Sequence, residues 1–238
     1  NMATIATIEP GSHAFFRRMA FWLSLFIVFG FLQFAARGLV DYKAVPLWFH
    51  LHGMAMTTWL GLMVVQSTLA DSGSLALHRR LGWTSAALVP VIWLLAMAAV
   101  TSALRVQFVP PFFTPGFFLA LVVIETSLFA GMVGVAIARR RQTDWHARLL
   151  LGATVVLMEP ALGRLLPMPL LGPWGEWIAM LIQLGAVGLM VRHDRRESGA
   201  IHPATHVALA AVVFGHVATS LAAMMPQVNA AAAAIAAS

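Results

Sequence analysis

Nine histidines and nine acidic residues carry most of the chemistry available to this chain, and it has no cysteine. Thiolate metal sites, iron–sulfur clusters, disulfides and covalently attached c-type haem are therefore excluded. Any metal must be held by imidazole, carboxylate or thioether. His50 and His52 stand two apart, which turns them about 200° away from each other on a helix, so they cannot share a face. From His52, the residues Met56, Trp59, Met63 and Gln66 follow within about 40° of one line. Such a stripe is usually a packed bundle face, but it would also suit a flat cofactor lying along the helix. His202, His206 and His216 fall within about 80° of arc on one later helix. His202 and His206, at i and i+4, have the spacing of a helical zinc pair, although His-x-x-x-His alone is a weak pattern. Glu125 and Glu159 are acids inside apolar runs, where an unpaired charge costs on the order of several kcal/mol.

A short internal echo adds two more candidates. "LHRRLGW" at 77–83 and "WHARLLLG" at 145–152 each place a His, then an Arg two residues on, then a Leu. His78, Arg80, His146 and Arg148 are thus paired by pattern. They suit either interfacial anchoring by lipid phosphate or a binding role in which the arginines hold an acidic group.

The elements that must position these residues follow from composition. Of 238 residues 60% are hydrophobic and 10% charged, with a mean hydropathy of +0.83, which excludes a water-soluble fold. The formal charge of +6 reflects topology here; no nucleic-acid motif is present. Apolar runs predict spans at 19–37, 46–70, 81–104, 113–138, 146–166, 174–192 and 203–225. The fold expected is an all-α, polytopic transmembrane helix bundle of seven spans. The first run reads as an uncleaved span, and Pro160, Pro167, Pro169 and Pro173 blur the boundary between the fifth and sixth. Eleven arginines (Arg17, Arg18, Arg79, Arg80, Arg139, Arg140, Arg141, Arg148, Arg192, Arg195 and Arg196) lie at one set of alternate connections, against Arg37, Lys43, Arg105 and Arg164 at the other. The positive-inside rule then puts the N-terminus in the cytoplasm and the C-terminus outside. One domain is expected over 1–226, followed by an Ala-rich tail over 227–238. Expected partners are membrane lipids and further membrane subunits, not nucleic acid.

Helix rise puts His52 about 9 Å below the outer surface, and Glu159 and His216 about 20 Å above the inner one. In a core of about 30 Å these share one level, while His78, His146, His202 and His206 begin helices at the cytoplasmic face. Two His layers would suit noncovalent b-type haems, with His52 and His216 as the outer axial pair. Alternatively, one Zn or Fe ion held by histidine would serve hydrolysis or redox chemistry. The hydrolytic version is similar to the progestin and adiponectin receptor and ceramidase group in span count, orientation and the His-x-x-x-His of the last span, here His202 and His206. It departs from that group in having no acid in the third span and its second-span histidines at the outer end. A rhodopsin is excluded, because Lys43 is the single lysine and does not lie in the last span. A proton-coupled carrier through Glu125 and Glu159, or a noncatalytic subunit of a membrane complex, stays open.

"FHLHGMAMTTWLGLMVVQSTLADSGSLALHRRLGW" at 49–83, "DWHARLLLGATVVLMEPALGRL" at 144–165 and "IHPATH" at 201–206 together resemble an uncharacterised bacterial family of multispan inner-membrane proteins. The resemblance implies a multi-pass protein of the bacterial cytoplasmic membrane and brings no activity with it. The residues it carries over are His50, His52, Trp59, Gln66, His78, Arg80, His146, Arg148, Arg164 and His202. Glu159, His206 and His216 stand outside that pattern.

Overall fold

The computed structural model describes residues 13–238, so the first twelve positions of the expected domain lie outside the described residues. The long helices are α1 (Ala14–Ala36), α2 (Leu47–Asp71), α3 (Leu75–Arg105) and α4 (Pro115–Ala138). α5 (Thr143–Val156) and α6 (Glu159–Leu165) follow, then a single turn α7 (Met168–Leu171) and a 3-10 turn (Gly172–Trp174). α8 (Gly175–Ser198), α9 (Pro203–Met224) and α10 (Pro226–Ala236) complete the chain. The described part is all-helical, without a strand.

Five stretches are long and apolar enough to cross a membrane: α1, α3, α4, Met168–Ser198 and α9. Their outward faces carry large apolar side chains that water would penalise, with Trp22, Leu32, Leu94 and Leu181 each more than 60% exposed. A membrane protein accounts for this surface. α2 is as long as its neighbours but carries His50, His52, Thr57, Thr58 and Gln66. It packs against α1: Asp71 meets Arg17 at 3.3 Å near one end, and Ser24 donates to Leu60 O at 3.4 Å midway.

α5 and α6 together also match the length of α1. At one end the Arg148 guanidinium lies 5.3 Å from the Phe16 ring; at the other Gln33 donates to Arg164 O at 3.0 Å. The break between α5 and α6 has a cause in the sequence. Pro160 has no N–H to give to Val156 O, four residues back, and its ring crowds that turn.

Inside the bundle, helices approach through small residues, as expected where lipid supplies no hydrophobic drive between helices. A Cβ on Gly30 would stand 2.9 Å from Ala161 Cβ, and one on Gly152 would stand 2.6 Å from Ala208 Cβ and 2.8 Å from Met132 Cε. Gly30 thus sets the α1–α6 contact, and Gly152 lets α4, α5 and α9 meet. The Ala-rich end of the chain is α10, which packs against α3 and α4 with Ala232 buried beside Val100 and Leu104.

Candidate metal centre

Glu159 opens α6 at the helix break, Glu176 lies in the first turn of α8, and His216 sits in the second half of α9. One ligand atom from each lies within 4.8 Å of the other two, and among the described residues no other group of three or more His, Asp or Glu is gathered so closely. Glu159 and His216 are each 2% exposed, and Gln183, one helical face along α8 from Glu176, is 1% exposed. Glu176 is at the rim, with a side chain 12% exposed.

The hydrogen bonds fix where the protons sit. Gln183 Nε2 points at two acceptors, Glu159 Oε2 at 3.3 Å and the Val156 carbonyl freed by Pro160 at 3.5 Å. That orients the amide, so Gln183 Oε1 faces His216 Nε2 at 3.2 Å and can only accept. His216 Nε2 therefore carries a hydrogen. Its Nδ1 lies 3.1 Å from Glu176 Oε2, so one proton is held between these two atoms. Glu159 Oε2 is 3.6 Å from His216 Nε2 and closes the set.

Two more groups complete the surroundings. Glu125 on α4, 8% exposed, puts its carboxylate against the backbone of Gly215, where a Cβ would collide with Glu125 Oε1. Any larger residue would have to displace the Glu125 carboxylate. Glu176 Oε1 and Thr219 Oγ1 are buried without a hydrogen-bond partner. Thr219 is one turn beyond His216 on the same helix, so unsatisfied oxygen accompanies the cluster.

The residues fit a metal ion of the zinc or iron class, since carboxylate oxygen and imidazole nitrogen are its usual donors. Ligands about 2.1 Å from a tetrahedral ion stand about 3.4 Å apart; His216 Nδ1 and Glu176 Oε2, at 3.1 Å, already meet that spacing, and the widest separation in the set is at most 4.8 Å. Rotation of the rim residue Glu176 supplies part of the remaining closure.

The other predicted residues are placed elsewhere. His52 Nδ1, Trp59 Nε1 and Gln66 Oε1, all on the predicted α2 stripe, are buried without partners. Trp59 and Met63 pack in the core, Trp59 edge-on to Phe129 at 5.0 Å. α2 packs against α1 and α3, whereas α9 packs against α4, α5 and α8, so His52 and His216 lie on helices that are not direct neighbours. His50 Nε2 meets Tyr42 O at 3.1 Å.

At the arginine-rich end, His202 is the N-cap of α9, its Nδ1 accepting from Ala204 N at 3.1 Å. Burial, and after it the nearby Arg148 charge, lowers its pKa below the ordinary histidine value. His206 is exposed, and among the described residues the pair gathers no third ligand. The acidic group that Arg148 holds is the chain's own Asp194: Nε and Nη2 both reach Oδ1 at 2.8 Å. Asp194 Oδ2 accepts from His202 N at 3.0 Å and Thr205 Oγ1 at 2.6 Å. Arg80 is exposed.

Sequence reasoning singled out Glu159, His216 and Glu125 but missed Glu176 and Gln183. Both sit seven apart on α8, a spacing that returns to the same helical face and would have flagged them. No family model matches the chain, and no solved structure matches it at a significant level.

Proposed function

We propose that this chain is a seven-crossing protein of the bacterial cytoplasmic membrane, N-terminus inside, that binds one divalent zinc or iron ion through Glu159, Glu176 and His216. The observation that carries the reading is the convergence of two carboxylates and one imidazole in the interior of an apolar bundle. Without a counter-charge, such a cluster is expensive in hydrocarbon. The broken α5–α6 pair and α2 serve as the two crossings beyond the five most apolar stretches.

A metal ion is favoured over haem because both His216 nitrogens face side chains of neighbouring helices, leaving no open axial direction. When bound, the ion would act as a Lewis acid or, as iron, as a one-electron centre. Gln183 would orient His216 and Glu159, a proton would leave the Glu176–His216 pair on loading, and the apolar walls would exclude bulk water.

The test is metal analysis of the detergent-purified protein after loading with zinc or ferrous iron, for wild type and for Glu159→Gln and His216→Ala. About one ion per chain in the wild type and at least a tenfold weaker affinity in both variants is expected. Equal metal content in all three would overturn the reading. A metal-free wild type that moves protons across vesicles would instead favour a proton carrier built on the same Glu176–His216 pair.

A further inference from the structure

We propose that His78 and His146 form a second metal site, at the arginine-rich end of the bundle, that takes a late first-row transition ion such as Cu²⁺. It is separate from the Glu159–Glu176–His216 cluster and does not depend on it. The sequence echo is a structural one. α3 begins at Leu75 and α5 at Thr143, so each histidine is the fourth residue of its helix. Each also reaches back to the helix before it: His78 Nδ1–H donates to Gln66 O at 3.2 Å, and His146 Nδ1–H donates to Ala136 O at 2.8 Å. Two hairpins, α2–α3 and α4–α5, thus present a histidine in the same way.

These backbone bonds decide the chemistry. A carbonyl only accepts, so Nδ1 carries the hydrogen in both rings, and each Nε2 is left with a free lone pair. A histidine that ligates a metal through one nitrogen almost always donates its other N–H in this manner. The ring planes stand at 89° to each other, with centroids 6.3 Å apart. A metal lies about 2.1 Å from each ligating nitrogen, hence about 3.2 Å from each ring centroid, so two rings sharing one ion have centroids up to about 6.4 Å apart. The observed separation lies inside that limit. Both histidines are half-buried and reachable.

A second feature supports a ligand. Gln66, 8% exposed, has its Oε1 buried without a partner, and its amide lies on the His78 side of α3, with Nε2 3.5 Å from where a Cβ on Gly82 would be. The backbone carbonyl of the same residue is the one His78 binds, so its unpartnered amide oxygen offers a further donor on the His78 side. Two imidazoles with oxygen or water best suit copper in the usual affinity order of divalent ions.

The experiment uses the full chain in detergent, free of any affinity tag, titrated with Cu²⁺ and followed by electron paramagnetic resonance. The wild type and His216→Ala should show a copper signal split by two nitrogens, and His78→Gln and His146→Gln should each bind at least tenfold more weakly with fewer nitrogens coupled. Binding and splitting unchanged in both His78→Gln and His146→Gln would overturn the site. In parallel, histidine acylation of the wild-type protein, mapped by peptide mass spectrometry, avoids any folding defect in the variants. Copper should shield His78 and His146 at least tenfold, and equal labelling with and without copper would overturn the proposal.

Discussion

At the scale of single residues, the candidate centre rests on polar groups buried together in the bundle interior. Glu159, His216 and Gln183 satisfy one another, and Gly215 exists where Glu125 needs the space. Gly215→Ala is expected to lower stability by about 1–3 kcal/mol, because the added methyl meets a buried carboxylate; thermal unfolding in detergent measures this. His202 gives a prediction with a definite sign. Its lowered pKa means that the folded state binds fewer protons than the unfolded state, in which the value is 6.5. Its contribution is therefore present above about pH 6.5 and is lost as pH falls below that, when Nδ1 gains a proton and can no longer accept from Ala204 N. His202→Asn keeps the cap and should flatten the stability–pH curve between pH 7 and 5, and an unchanged slope would show that His202 does not set it. Glu159 and His216 were legible in the sequence because an ionisable residue inside an apolar run stands out. Glu176 was not, since it follows Pro173, Trp174 and Gly175 at the edge of a span, where acids are ordinary.

At the scale of elements, the site depends on an interrupted helix. Pro160 frees the Val156 carbonyl, and the Gln183 amide turns towards it, which orients the rest of the cluster. Pro160→Ala should restore the missing N–H and favour one continuous helix. The expected outcome is a stability gain of about 1–3 kcal/mol in thermal unfolding, together with a metal affinity at least tenfold weaker. Affinity equal to the wild type would mean that the break does not organise the site. Apolar run length predicts the five long apolar stretches and gives α2 as well, because those features are local. The break was visible only as a cluster of prolines. Nor could the chain alone reveal that α6 rests on α1 through Gly30 and Ala161, a contact between residues more than a hundred positions apart. The echo at His78 and His146 was readable as a pattern, but its meaning needed the two carbonyls at Gln66 and Ala136.

At the scale of the molecule, two polar clusters tie the helices together. At the arginine-rich end, Arg148 and Asp194 join α5, α8 and the start of α9; Arg148→Ala leaves a buried carboxylate unpaired and should cost about 3–5 kcal/mol, measurable as loss of folded protein on heating. Towards the opposite end, the Glu159–Glu176–His216 set joins α6, α8 and α9. The eleven-to-four bias of basic residues predicts that reporters fused after Arg141 and after Arg196 are cytoplasmic, and that one fused at Ser238 is external. The central claim is the metal centre, and quantitative metal analysis of wild type beside His216→Ala tests it most directly. About one zinc or iron per chain in the wild type, lost from a folded His216→Ala protein, is the result the account predicts. A wild type that takes up no ion under loading, or a His216→Ala protein that keeps the same ion with the same affinity, would contradict it.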